Sequence, residues 1–398
     1  MNHQLPSLRS FASSRLADIS TQGLWRKHKT IEGRQGPLIS INGREVLNFC
    51  SNDYLGLAGH PALIASVKQG VERYGVGSGA SRLVCGNSSA HARLEERLAQ
   101  FTGREKALVF STGYMANLAL INVFSGRDGV IVGDRLNHAS LVDAALLAGA
   151  TLKRYKHADL HSLQQILGKT ETADKKMVVT ESVFSMDGDI APLPAIAAAC
   201  AAARTPLLVD DAHGLGVLGK NGHGALEHFN LDNQAVPLMM ATFGKALGAF
   251  GAFIAGDAEL IECLIQTGRT YIYTTALPPA LAEAAYCALD LVERERWRAD
   301  HLHALIERFR EGATKLGLRM SASITPIQPL LVGGARRAAA ISNELFGKGI
   351  YITAIRPPTV PRHTARLRIS LTAAHTEAQV DHLLSTLSDI GMLHDRDF

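Results

Sequence analysis

Residues 237–253 read PLMMATFGKALGAFGAF. Leu238–Ala241 is apolar throughout and has the length of a buried strand, and a second such run, Ala252–Ala255, follows it. Between them Lys245 is embedded among Gly, Ala and Phe. Lysine is seldom buried without a partner, and desolvation lowers its pKa toward the neutral amine. A neutral amine is what Schiff-base chemistry with an aldehyde requires. Taken alone, Lys245 could equally be a lysine whose stem lies along apolar neighbours with its head in water.

Two upstream stretches have the same strand-then-polar form. Residues 206–216, PLLVDDAHGLG, put Asp210 and Asp211 at the end of an apolar strand, with His213 just beyond. A carboxylate there is costly to bury unless a cation meets it, and the alternative is a solvated Asp-rich loop. Gly214, Gly216 and Gly219 have GxGxxG spacing, but the continuation KNGHGALEH is polar where a dinucleotide fold needs an apolar helix opening. Residues 107–120, ALVFSTGYMANLAL, end a strand at Ser111-Thr112 and open a helix at Gly113-Tyr114. Free N–H groups and a positive dipole end suit such a junction to a phosphate, though most junctions of this kind bind nothing.

Further apolar runs lie at 129–132 and 177–180, mostly separated by helical patterns such as the Ala-rich Pro194–Ala203. Apolar strands alternating with helices predict an α/β fold with a mainly parallel sheet covered on both faces. Before this region, GPLISINGREVLNF contains Asn42-Gly43 between apolar runs, a hairpin signal. After Leu281 the texture changes. Leu302, Leu305, Ile306 and Phe309 mark one helix and Val380, Leu383, Leu384 and Leu387 another. IQPLLVGG and ARLRISLT read as strands flanking a helix around 338–346. The expected division is an N-terminal arm (1–50), a large ligand-binding domain (51–284) and a smaller α+β C-terminal domain (285–398).

The chain has 398 residues, 46% hydrophobic and 20% charged, which excludes general disorder. Forty-one basic against 37 acidic side chains give +4, too slight to predict a nucleic-acid partner. Five cysteines without a CxxC pair argue against a disulfide framework or zinc ribbon, and no metal is expected. The N-terminus lacks the apolar core of a secretory signal and no run approaches a membrane span, so a soluble cytoplasmic protein is expected.

A phosphate-binding helix start, a strand-end aspartate and an apolar-flanked lysine together meet the requirements of pyridoxal 5′-phosphate. The lysine takes the aldehyde, and the aspartate keeps the pyridine nitrogen protonated so that the ring accepts electrons. Thr242 could offer a hydroxyl to the phosphate, and His138, in GDRLNHAS, could stack on the ring.

From about Leu24 onward the chain resembles the α-oxoamine synthases, a pyridoxal-phosphate family of aspartate-aminotransferase-like fold (fold type I). The motifs that carry the resemblance are LNFCSNDYLGL, GVGSGASRLVCG, STGYMAN, DRLNHASL, VVTESVFSMDGD, VDDAHGLGVLG, TFGKALG, YIYTTALPP and TAIRPPTVP…ARLRISLTAAHT, in that order. The resemblance implies that Lys245 is the Schiff-base lysine, Asp210 the pyridine-nitrogen partner, His213 the hydrogen-bond partner of the phenolic oxygen and His138 the stacking residue. Gly113, Tyr114, Glu181, Ser185 and Thr242 would complete cofactor binding. Tyr273-Thr274-Thr275 would reach the phosphate of the neighbouring subunit in a homodimer, so that Thr274 and Thr275 belong to the cofactor site. Arg356 would hold the amino-acid carboxylate, and Arg26, Asn52 and Thr359 match other substrate contacts.

Within this family TAIRPPTVP resembles the biotin-pathway branch, which condenses L-alanine with pimeloyl-CoA, or its acyl-carrier-protein equivalent, with loss of CO2 and free thiol. The other branches join glycine to acetyl- or succinyl-CoA, as in glycine C-acetyltransferase, or serine to a long acyl-CoA. One departure is Arg362-His363, where the biotin-pathway pattern has a residue followed by Gly. A catalytically silent regulatory subunit and a nucleotide-dependent oxidoreductase are the readings from other classes. Such silent subunits typically lack the lysine that this chain retains.

Overall fold

The computed structural model describes residues 7–22, 24–171, 173 and 175–390. The first six residues of the expected arm and residues 391–398 of the expected C-terminal domain lie outside the described residues. Three sheets organise the chain. The apolar runs form β4 (Lys106–Phe110), β5 (Val130–Asp134), β6 (Thr151–Tyr155), β7 (Lys176–Glu181), β8 (Leu207–Asp210), β9 (Leu238–Thr242) and β10 (Ala252–Gly256). Their order across the sheet is β4-β10-β9-β8-β7-β5-β6. From β6 to β9 every pairing is parallel, whereas β10 is antiparallel to both β9 and β4. The fold is therefore α/β with a mainly parallel sheet.

Period-2 alternation sorts the strand residues onto two buried faces. Leu108, Ile131, Met177, Leu208, Met240 and Ile254 face one apolar layer, shared with the helices Gly113–Ser125, Ala139–Ala148 and Ala258–Thr267. Val109, Val132, Val178, Val209, Met239 and Phe253 face the other, which runs on into the C-terminal region. β6, TLKRY, gave no strand signal, because at the sheet edge only Tyr155 is buried and the apolar run is missing.

The two strands of the opening stretch are joined by 243–251 with no helix between them, so they pair antiparallel with Thr242 opposite Ala252. This tight return holds Lys245. Gly248 makes it possible: its φ is +61°, and a Cβ there would lie 2.3 Å from the backbone nitrogen of Ala58.

Near the N-terminus are β1 (Ile31–Glu32), β2 (Leu38–Ile41) and β3 (Arg44–Asn48). Asn42 and Gly43 have φ of 53° and 74°, as a two-residue hairpin turn between β2 and β3 requires. The helix Leu8–Thr21, absent from the sequence reading, buries none of its residues. In the C-terminal part β11 (Ile327–Gly333), β14 (Ala365–Ser370) and β13 (Thr353–Ile355) form an antiparallel sheet, while β12 (Ile350–Tyr351) joins β3 in parallel. The helix Trp297–Lys315 buries Leu302, Leu305, Ile306 and Phe309, and Glu377–Asp389 buries Val380, Leu383, Leu384 and Leu387. The helix Pro279–Arg294 runs through the expected 284/285 boundary. The five cysteines are free thiols, and no described helix is long and apolar enough to cross a membrane.

Candidate active site

Parallel strands end together, and here the C-terminal ends bring chemistry with them. Glu181 ends β7, Asp210 ends β8 directly beside it, and Thr242 ends β9. Asp210 and Asp211 separate by alternation. Asp210 Oδ2 accepts from Asn117 Nδ2 at 2.9 Å and its Oδ1 from the N–H of Ala212 at 3.0 Å. Asp211 turns away: its oxygens accept from Ser182 Oγ at 2.5 Å and the Ala225 N–H at 2.9 Å, and burial pushes it up to about 7. The carboxylate offered to the site is that of Asp210.

Lys245 shares its electrostatic surroundings with Asp210 and Glu181. Desolvation lowers its ammonium to about 8, against the pull of these two carboxylates. Glu181 is raised to about 8 by burial and then by Asp210, and its Oε1 accepts from the His138 N–H at 2.5 Å. The His138 ring caps its own helix: Nδ1 accepts from the Ser140 N–H at 3.2 Å and bonds Ser140 Oγ at 2.8 Å. That leaves the exposed ring face available for stacking. Ser140 Oγ also accepts from Asn117, so the Asp210 and His138 placements are linked through one amide.

His213 is buried, and desolvation holds it well below its ordinary pKa, hence neutral. Its Nδ1 lies 2.7 Å from the Tyr54 hydroxyl. With Tyr54 donating, Nε2 carries the proton and is left to donate into the site. At the phosphate end, Thr112 caps the helix Gly113–Ser125 by accepting from the Met115 N–H at 3.2 Å. The first-turn N–H groups of Gly113 and Tyr114 have no partner among the described residues. The Tyr114 side chain points elsewhere and donates to Asp143. The Thr242 hydroxyl donates to Gly251 O at 2.8 Å and accepts from the Gly244 N–H at 3.2 Å.

The substrate-side residues are less uniformly placed. Asn52 is next to the site, its Oδ1 accepting from Arg368 Nη1 and Nη2, both at 3.1 Å. Ser185 contributes its carbonyl, which accepts from Arg368 Nε at 2.7 Å. Arg356 follows β13, Thr359 is exposed and donates its N–H to Arg356 O, and Arg26 is exposed after the N-terminal helix. Thr275 lies beside Ser111 of its own chain, its carbonyl accepting from the Ser111 hydroxyl at 3.4 Å. His363, where the biotin-pathway pattern has Gly, has φ of +64°, so a side chain occupies the left-handed backbone that glycine adopts freely.

Three site residues escaped the sequence reading. Arg368 is buried in β14 with neutral acceptors and no carboxylate within ion-pair distance among the described residues. Its signal was two cations, Arg366 and Arg368, one residue apart in an apolar strand. Asn117 was the polar residue four positions after Gly113 in an apolar helix, on the same helical face. Tyr54 carried no local signal, because only the chain crossing brings it to His213.

The donor set fits pyridoxal phosphate: an amine poised to be neutral, a carboxylate held by an amide, a neutral histidine donor, an open imidazole face and a free helix start. The pattern of aminotransferase class I and II matches residues 44–387. The 8-amino-7-oxononanoate synthase of Nitrosococcus oceani is 56% identical over 94% of this chain and 99% of its own. The chain belongs to the 8-amino-7-oxononanoate synthase family, within the class I and II aminotransferases. Among solved structures, a serine palmitoyltransferase from S. paucimobilis with bound PLP and myriocin superposes with a TM-score of 0.92 at 29% identity, covering 97% of this chain and 98% of that one. The 8-amino-7-oxononanoate synthase of Francisella tularensis gives 0.77 at 33% identity over 87% and 97%.

Proposed function

We propose that this enzyme condenses L-alanine with a pimeloyl thioester, of CoA or an acyl carrier protein, to give 8-amino-7-oxononanoate, CO2 and free thiol in biotin biosynthesis. Its cofactor is pyridoxal 5′-phosphate. The observation that carries the reading is the half-buried Lys245, lowered to about 8 by desolvation, in the field of Asp210 and Glu181 at the strand ends. When bound, the cofactor supplies an aldehyde for the amine and an electron-accepting ring.

The chain's own groups do the rest. Lys245 Nζ, neutral for part of the time near pH 8, takes the α-proton of alanine. Asp210, fixed by Asn117, holds the proton on the ring nitrogen. His138 would cover the ring face, and His213 would hydrogen-bond the phenolic oxygen. The N–H groups of Gly113 and Tyr114 would receive the phosphate, with the Thr242 hydroxyl assigned to the same end. Glu181 lines this wall as an uncharged acid below pH 8. Arg368, whose acceptors among the described residues are neutral and whose Nη2 keeps one N–H uncommitted, is the cation assigned to the substrate carboxylate, with Asn52 beside it. Arg356 and Thr359, with Arg26, are then assigned to the pimeloyl thioester side.

We place Thr274 and Thr275 at the phosphate of the neighbouring subunit in a homodimer. We keep the division into arm, large domain and small domain, with the helix Pro279–Arg294 as the connecting element. The free cysteines agree with a cytoplasmic setting.

The test is purified holoenzyme mixed with L-alanine and pimeloyl thioesters, following thiol release. Lys245→Ala should lose the visible absorbance of the bound cofactor and all measurable turnover, at least about 10³-fold. Wild-type turnover in that variant, or a preference for glycine and acetyl-CoA in the wild type, would contradict the reading.

A further inference from the structure

The loop after β7 is anchored by charge from both sides. Phe184–Asp189 closes on itself: the Phe184 N–H donates to Asp189 O at 3.0 Å and the Gly188 N–H to Phe184 O at 2.8 Å. On the large-sheet side, His157 bridges two carboxylates. Its Nδ1 is 3.0 Å from Asp134 Oδ1 and its Nε2 is 2.9 Å from Asp189 Oδ2. Asp134, at the end of β5, also accepts from the N–H groups of Leu136 and Ala158 at 2.8 and 2.9 Å, so its position is fixed. The Phe184 ring meets the imidazole edge-on, with centroids 4.4 Å apart.

On the other side, Arg366 pairs with Asp187 and donates to Met186 O at 3.2 Å. Ser323 and Thr325 both donate to Gly188 O, at 2.8 and 2.9 Å. Between the two anchorages the Ser185 carbonyl accepts from Arg368 Nε. We propose that His157 is a positioning residue for the substrate carboxylate, acting through Asp189, the Phe184–Asp189 loop and the Ser185 carbonyl that aims Arg368. The inference rests on Arg368 binding that carboxylate.

Two features make His157 the sensitive link. Asp189 Oδ1 is buried without a hydrogen-bond partner among the described residues, so this carboxylate is tied through its other oxygen to His157. A neutral imidazole has a single N–H, so donation to both carboxylates requires the imidazolium. Burial opposes that charge, yet the hydrogen bonds to Asp134 and Asp189 outweigh it and raise His157 to about 10. At the far end, Asn52 and Ser370 hold the two terminal nitrogens of Arg368, but Nε has only Ser185 O. If the loop relaxes, the guanidinium loses its Nε hold and tilts on the Asn52 and Ser370 contacts, so its uncommitted Nη2 N–H is misaligned with the carboxylate.

The experiment compares holoenzyme variants by separate KM values for L-alanine and thioester, kcat, and visible cofactor absorbance. His157→Gln, which has no donor at one of the two ring-nitrogen positions, should raise the alanine KM about tenfold, with thioester KM and absorbance within about twofold. Adding Asp189→Asn, which neutralises the stranded carboxylate, should return most of that loss. Should His157→Gln not fold, Asp189→Ala removes the tether without leaving a buried charge and should show the same rise. An unchanged alanine KM in the folded variants, or a parallel loss of kcat and absorbance without a KM change, overturns the inference. Arg368→Gln separates the two levels. If it leaves the alanine KM unchanged, the reading of Arg368 fails; if only Arg368→Gln raises it, the His157 inference alone fails.

Discussion

Glu181 and Lys245 carry opposite perturbations toward the same value, about 8, because each is desolvated, while Asp210 adds to the rise of Glu181 and opposes the fall of Lys245. For Glu181 the folded value lies above the ordinary one near 4.5. The folded protein therefore holds a proton that the unfolded chain has released between these pH values. The stability linked to that proton is complete below about 4.5 and is lost as pH rises through about 8. Glu181→Gln keeps the acceptor for the His138 N–H and has no proton to lose. Between pH 5 and 8.5 the melting temperature of the cofactor-free wild type should fall more steeply than that of Glu181→Gln. Parallel slopes would show that Glu181 is not the group responsible. Such shifts were only partly legible in sequence. An apolar flank announced the depressed lysine, but the raised glutamate depends on a neighbouring strand that no local pattern identifies.

At the scale of elements, the return from β9 to β10 decides where the lysine sits. Its apolar runs and its glycines were readable, whereas its closeness to residues 57–58 was not. Gly248 combines positive φ with contact on the Ala58 backbone, and its N–H donates to Lys245 O at 2.9 Å. Gly248→Ala should cost about 2 kcal/mol or more, since left-handed strain and displaced backbone add. Because the shift passes to Lys245, turnover should fall at least about tenfold. Thermal unfolding and the thiol-release assay check both, and wild-type values in each would contradict this account of the loop. The edge strand β6 and the helix Leu8–Thr21 were missed for the converse reason, since neither buries the apolar stripe on which periodicity depends.

At the scale of the whole molecule, the proposed homodimer makes a prediction about which chain supplies Thr274 and Thr275. Within its own chain Thr275 lies beside Ser111, two residues before the helix start at Gly113, so the test must distinguish the same chain from its partner. Co-expressing Lys245→Ala with Thr274→Ala/Thr275→Ala should restore activity to about a quarter of wild type if the threonines act across the interface. Half of the dimers are then mixed, and each has one intact site. No gain over the separate variants would place the threonines in the site of their own chain.

Read alone, the residues specified the alternation of apolar strand and helix and a distinct C-terminal texture, and they marked the lysine, aspartate and helix start proposed to hold the cofactor. Each is a local pattern, set by periodicity 2 or 3.6 or by one polar residue in an apolar run. Only tertiary contacts turned Asp210 and not Asp211 toward the site, brought the Tyr54 hydroxyl to His213 Nδ1, and set Arg368 against Asn52 across 316 residues of chain. Those pairings follow from strand register and chain crossing. Burial then turns each into a cost or a gain that no residue carries alone.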